Sequence, residues 1–197
     1  MVEANVGGGK TDVVIDRNLA LHSRVDESGA VRHALTYSRS HRGDERSEPW
    51  YRTLSTTYLQ LLVPWGSRLE DSEGGEERRI VPLVDYRRYE INQDLYTLEH
   101  ADAVFGKTIF RQWLTLAPGK TQIFKATYLA PNMVRVADNS RYTLVYEKQS
   151  GIETPLAITI EAPYGYIWEE SNSAIFAYEE PRPSRRIVIS LTLRSIP

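Results

Sequence analysis

The string with the strongest suggestion of chemistry is Ala4-Asn5-Val6-Gly7-Gly8-Gly9-Lys10-Thr11, which fits a relaxed phosphate-loop pattern with Ala at its first glycine. A working phosphate loop follows a buried strand and leads into a helix, so that backbone amides and the helix N-terminus face the phosphates. Here only three residues precede the string, and Asp12-Val13-Val14-Ile15-Asp16-Arg17 follows it in strand style. No Asp suited to Mg²⁺ closes an apolar parallel strand. The glycines read as a flexible loop, and no cofactor is expected.

The four histidines, His22, His33, His41 and His100, are scattered with no pair at short metal-ligand spacing. His33 falls within a strand pattern as a hydrogen-bonded, semi-buried residue; the others read as exposed. Carboxylates are plentiful at Glu161, Glu169–Glu170 and Glu179–Glu180. Acid pairs that cleave glycosides converge in a cleft, whereas adjacent acids on one strand point to opposite faces. These doublets read as acidic strand edges that discourage aggregation. The Ser72–Glu77 loop carries glycine and carboxylates without the ligand spacing of a calcium loop. No metal ligand is expected. The aromatic residues are the remaining lead: Trp50, Trp65, Trp113 and Trp168 could form a carbohydrate platform or a protein contact. Trp113 sits among Phe110, Leu114 and Leu116 and reads as packed. Trp50, with Tyr51, and Trp65 lie beside turns and are the candidate surface contacts.

The composition narrows the classes further. There is no cysteine, which excludes disulfides, thiolate metal sites and cysteine nucleophiles. The net charge of -2 gives no general attraction to nucleic acid. The basic doublets Arg78–Arg79, Arg87–Arg88 and Arg185–Arg186 alternate with acids and read as solvated faces. No apolar run approaches the length needed to span a bilayer, and the first residues lack the basic head and apolar stretch of a signal peptide. The chain reads as a fragment whose membrane anchor, if any, lies outside it.

The elements that would position these residues are strands. Alternation of period two places Ile187, Ile189, Leu191 and Leu193 on one face, with Val188, Ser190, Thr192 and Arg194 on the other. The same pattern recurs in Val31–Tyr37, in Leu156, Ile158 and Ile160, and in Tyr142, Leu144 and Tyr146. Turn signals separate the runs at Asp26–Gly29, Trp65–Ser67, Ser72–Gly75, Ala117–Lys120 and Gln149–Gly151. The pattern predicts an all-β protein with little helix, an antiparallel β-sandwich of immunoglobulin-like or larger size. One short helix is expected over Asn92–Ala103, and an exposed excursion over Ser38–Arg52. Residues 1–197 read as one module, with a two-lobed split near 131–141 as the alternative.

Four stretches carry a family resemblance. They are Asn5–Lys10 with Ile15-Asp16-Arg17; Trp50-Tyr51 with Tyr58–Ser67; Trp113–Lys120 with Tyr128-Leu129-Ala130-Pro131; and Tyr142–Gly151. Together they resemble the C-terminal region of the bacterial DUF4012 family of unknown function. Ser150 stands where that family usually has Pro, and the likeness spans most of residues 3 to 163. The resemblance implies an extracellular part of a membrane-anchored envelope protein and brings no catalytic residues with it. The expected function is therefore non-enzymatic: a structural or interaction domain contacting a neighbouring domain or envelope protein. The alternative is a carbohydrate-binding module for cell-wall or surface polysaccharide.

Overall fold

A computed structural model describes residues 1–6, 9–76 and 106–196. Among these described residues twelve strands run in chain order: β1 (Val2–Asn5), β2 (Ile15–Val25), β3 (Val31–His41), β4 (Ser55–Pro64), β5 (Arg68–Glu73), β6 (Lys107–Leu116), β7 (Thr121–Leu129), β8 (Arg141–Tyr146), β9 (Leu156–Glu161), β10 (Tyr166–Trp168), β11 (Ile175–Glu180) and β12 (Ile187–Ser195). The expected helix over Asn92–Ala103 lies outside the described residues, as do Arg78–Arg79, Arg87–Arg88 and His100.

The strands form an all-β sandwich. One layer is a six-stranded sheet in the order β11-β9-β2-β3-β7-β5. The sheets β1-β4-β6 and β10-β12-β8 face it: Phe110 of β6 packs on Tyr128 of β7, and the Trp168 indole of β10 donates to the Ile160 carbonyl of β9 at 3.0 Å. Strict alternation along β2, β3, β4, β9 and β12 sends one row of side chains into the space between. There Leu19, Leu35, Leu59, Leu114, Ile158, Ile160, Leu191 and Leu193 belong to one continuous buried cluster drawing on all three sheets.

One pairing departs from the antiparallel expectation. β2 pairs with β3 antiparallel but with β9 parallel, Leu19 opposite Leu156 through Arg24 opposite Glu161. Alternation specifies which face a side chain takes, not which way the neighbouring strand runs. Residues 131–140, between β7 and β8, form no strand and are fixed by main-chain bonds from Val134 to Gly29 and from Asn139 to Leu193. The tight fit at Gly29 is steric: its φ is +86°, and a Cβ there would lie 1.9 Å from the Val134 carbonyl oxygen.

The expected excursion over Ser38–Arg52 begins later than the sequence suggests. Ser38–His41 complete β3, and two short 3-10 turns, Gly43–Glu45 and Pro49–Tyr51, follow. Arg39 and His41 read as loop residues because they are polar, yet both lie on the inward row and are 1 % exposed.

Truncating Leu191, also 1 % exposed, to Ala should lower unfolding stability by about 2–5 kcal/mol. Val188→Ala, on the outer face of the same strand, should stay within about 0.5 kcal/mol. Urea unfolding of the two variants checks the assignment of faces.

Candidate functional site

The three expected contact residues occupy two places. Trp50 and Tyr51 belong to the 3-10 turn before β4, and Trp65 to the turn after it. Ten extended residues separate these turns, about 30 Å along the strand. Trp50 and Trp65 are 52 % and 54 % exposed, and Tyr51 is half-buried against Trp50. Their rings meet edge-on, 6.0 Å apart at 61°, so they offer a wedge instead of a flat stacking surface. The 3-10 turn Thr11–Val14 packs against the Pro49–Tyr51 turn, and Val6 bonds to the Thr56 carbonyl. This brings exposed Val6, Val13 and Leu54 to the Trp50 end. At the other end Gly66, next to Trp65, abuts Pro131.

The other tryptophans are structural. Trp168 is fully buried, because its indole N–H finds a partner inside the sandwich; it is not available to a platform. Trp113 is half-buried and lies 4.9 Å from the Tyr58 ring. Lys10-Thr11 lead into a four-residue 3-10 turn and then directly into β2, so the helix that a phosphate loop needs is not there.

The densest polar cluster escaped the sequence reading. Glu3 of β1, Arg17 of β2 and Arg39 of β3 are all buried. Glu3 Oε2 accepts from Arg17 Nε at 2.8 Å, and Oε1 stands 3.4 Å from Arg39 Nε as an ion pair without hydrogen-bond geometry. Arg39 donates to Ser55 Oγ at 3.0 Å and Thr57 Oγ1 at 2.7 Å, and Arg17 also holds Asp12 at the rim. Burial lowers the Arg39 pKa despite the neighbouring Glu3. For Arg17 burial pulls in the same direction, but Glu3, Tyr37 and Asp12 together outweigh it and raise the value. Burial, and then the Glu3 carboxylate, push the Tyr37 phenol far up. The main chain of Glu3 is gripped as well: its N–H donates to Gln149 Oε1 at 2.7 Å, and its carbonyl accepts from Gln149 Nε2 at 2.9 Å. The one available signal was phase. Arg17 falls between Ile15 and Leu19, and Arg39 follows Tyr37, on the inward rows.

A second polar cluster lies toward the β2–β3 turn. Ser23 Oγ is 2.8 Å from His33 Nδ1, the spacing of a nucleophile and its base. Ser23 is wholly buried and His33 is 6 % exposed, so no substrate carbonyl can reach the pair. Burial pushes the Tyr142 hydroxyl up to about 12, moderated by a hydrogen bond to Ser23, and the Tyr128 ring stacks on His33 at 4.8 Å. His33 is hydrogen-bonded within a strand as expected, but buried and not semi-buried. The expectation of an exposed His41 is not met: it is buried, with Nδ1 accepting from the Gly43 N–H and Nε2 at 3.0 Å from the Thr53 carbonyl. These partners specify the tautomer protonated at Nε2. His22 is half-exposed beside Glu161.

Glu179 and Glu180 lie on the edge strand β11, where acids are well placed to block strand addition. An open cavity of about 230 Å³ beside them is lined by Tyr178, Glu180, Pro183, Ser184, Arg185 and Ile187. It is smaller than a usual small-molecule site. Among the described residues, no three His, Asp or Glu side chains gather as a metal would require. No family model matches the chain, and no curated protein matches it.

Burial lowers the His33 pKa from 6.5 to about 4, which fixes the sign of a pH effect. The unfolded chain takes up the proton first as pH falls, so the contribution of neutral His33 is complete above about pH 6.5 and is lost progressively toward pH 4. At about 1.4 kcal/mol per pH unit the full loss is about 3 kcal/mol. Unfolding midpoints from pH 7 to 4 should show this slope, and His33→Gln should flatten that part of the curve.

Proposed function

We propose that this chain is a non-enzymatic interaction domain which docks or spaces a neighbouring domain or envelope protein. The observation that carries the reading is the distribution of polarity. Its closely spaced polar groups, Glu3 with Arg17 and Arg39, and Ser23 with His33, are sealed between the sheets. Two of the exposed aromatic residues, Trp50 and Trp65, stand at the two ends of β4, and a third, Tyr164, stands just before β10. Sealed polar groups specify a fold, and exposed aromatic residues beside turns are the usual anchors of a contact. An extracellular, envelope-anchored setting, through a segment outside this chain, is what the resemblance to DUF4012 proteins adds.

Capture from bacterial envelope extract, together with a glycan array, tests the reading. Trp50→Ala or Trp65→Ala should abolish capture while shifting the melting temperature by no more than about 2 °C, as expected for surface truncations. Saturable glycan binding lost in either variant would replace the docking role with a polysaccharide-binding one. A large fall in melting temperature with unchanged capture would remove both tryptophans from the contact.

A further inference from the structure

β1 holds its place almost without apolar help. Its residues run half-buried, buried, exposed and half-buried, and none belongs to the buried apolar cluster. The one side chain it sends fully inward is the Glu3 carboxylate. Pairing with β4 joins Val2–Asn5 to Thr57–Gln60, and on the far side the Gln149 amide bonds to both main-chain groups of Glu3, as a neighbouring strand would. Met1, just before the strand, packs against the edge of that cluster, so the segment can leave at the cost of one peripheral apolar contact while the cluster's buried members stay in place. Its departure would leave Arg17 with Asp12 alone and Arg39 with no carboxylate in the interior, where a charge without its counter-ion is strongly unfavourable. Arg39 Nη1 has no hydrogen bond even with Glu3 in place.

We infer that the slot bounded by β4, Gln149, Arg17 and Arg39 is a strand-docking site, filled in cis by β1, which also accepts in trans an extended peptide segment presenting a glutamate at the position of Glu3. Recognition has two separable parts. The edge of β4 and the Gln149 amide read main chain and ignore sequence, as in other strand additions. The two arginines read a carboxylate at the reach of a glutamate, and their burial makes that reading stringent. Ala4 faces solvent and sets no requirement; Val2 is half-buried and favours an aliphatic residue. The partner segment is thus an extended strand with an aliphatic residue followed by Glu. The inference rests on the docking role only for the existence of such a partner, not for the chemistry of the slot.

The test uses the full chain carrying Glu3→Gln, whose own first strand lacks the carboxylate. It is titrated with the hexapeptide Met-Val-Glu-Ala-Asn-Val and with the same peptide carrying Gln in place of Glu. The Glu peptide should raise the melting temperature saturably and bind at least about 30-fold more tightly than the Gln peptide. If Glu3→Gln does not fold, Glu3→Asp, which keeps a charge but falls short of the two arginines and leaves Gln149 intact, takes its place in the same titration. Equal binding of the two peptides, or no stabilisation by either in a folded variant, would overturn the inference and leave β1 a purely structural strand. Purified protein and peptide alone are needed, so this failure is distinct from a failure to capture an envelope protein.

Discussion

One carboxylate between two guanidinium groups organises the end of the sandwich where four strands meet. Arg17 and Arg39 occupy inward positions on neighbouring strands, and an inward row has no water to offer them. Glu3 supplies the charge they need from β1, and Asp12 supplies a second at the rim. The facing strand has adapted to the same demand. The inward row of β4 begins with Ser55 and Thr57, which accept from Arg39, and turns to Leu59, Leu61 and Val63 where the sheet opposite becomes apolar. The chemistry of β4 thus changes along its length in register with what lies across from it. Replacing Glu3, Arg17 or Arg39 alone by a neutral residue leaves an unbalanced buried charge, so breaking the set costs more than forming it gains.

The interior consequently has three zones. Charge and hydroxyls fill the Glu3 end, aliphatic side chains fill the middle, and Ser23, His33, Tyr128 and Tyr142 form a neutral polar cluster toward the β2–β3 turn. Each polar zone ties strands of opposite layers together through directional contacts, which an aliphatic core does not provide. Directional contacts at both ends and close packing between them fix the relation of the layers more tightly than packing alone. A rigid body of this kind suits a domain that holds other groups at a set spacing.

Much of the fold was legible because β3, β9 and β12 alternate without interruption, and a period of two has one structural meaning. Strand direction was not legible, since the alternation of β9 is the same whether it runs with β2 or against it. The buried polar residues misled in a consistent way. Arg39 and His41 look like the start of a loop, because sequence reports polarity and not the partner that neutralises it. In the candidate site, the exposure of Trp50 and Trp65 could be read from neighbouring Pro49 and Gly66. Their separation could not, as it depends on β4 being straight and unbroken between them. Glu3 resembles any other acid near a chain start until the two arginines opposite are placed.

The parallel partnership of β2 and β9 has a consequence for how the molecule is made. β2 and β3 are joined by a short turn in which Asp26 Oδ1 accepts from the Ser28 and Ala30 amides, so little chain entropy opposes their pairing. The residues of β9 that complete the other side of β2 lie more than a hundred positions later. At ordinary rates of synthesis that interval is on the order of ten seconds. Throughout it, a strand destined for the interior of the sheet is an edge, with Leu19 and Leu21 beside open backbone groups. The nascent chain is most exposed to wrong pairing during this interval, and β9 ends it.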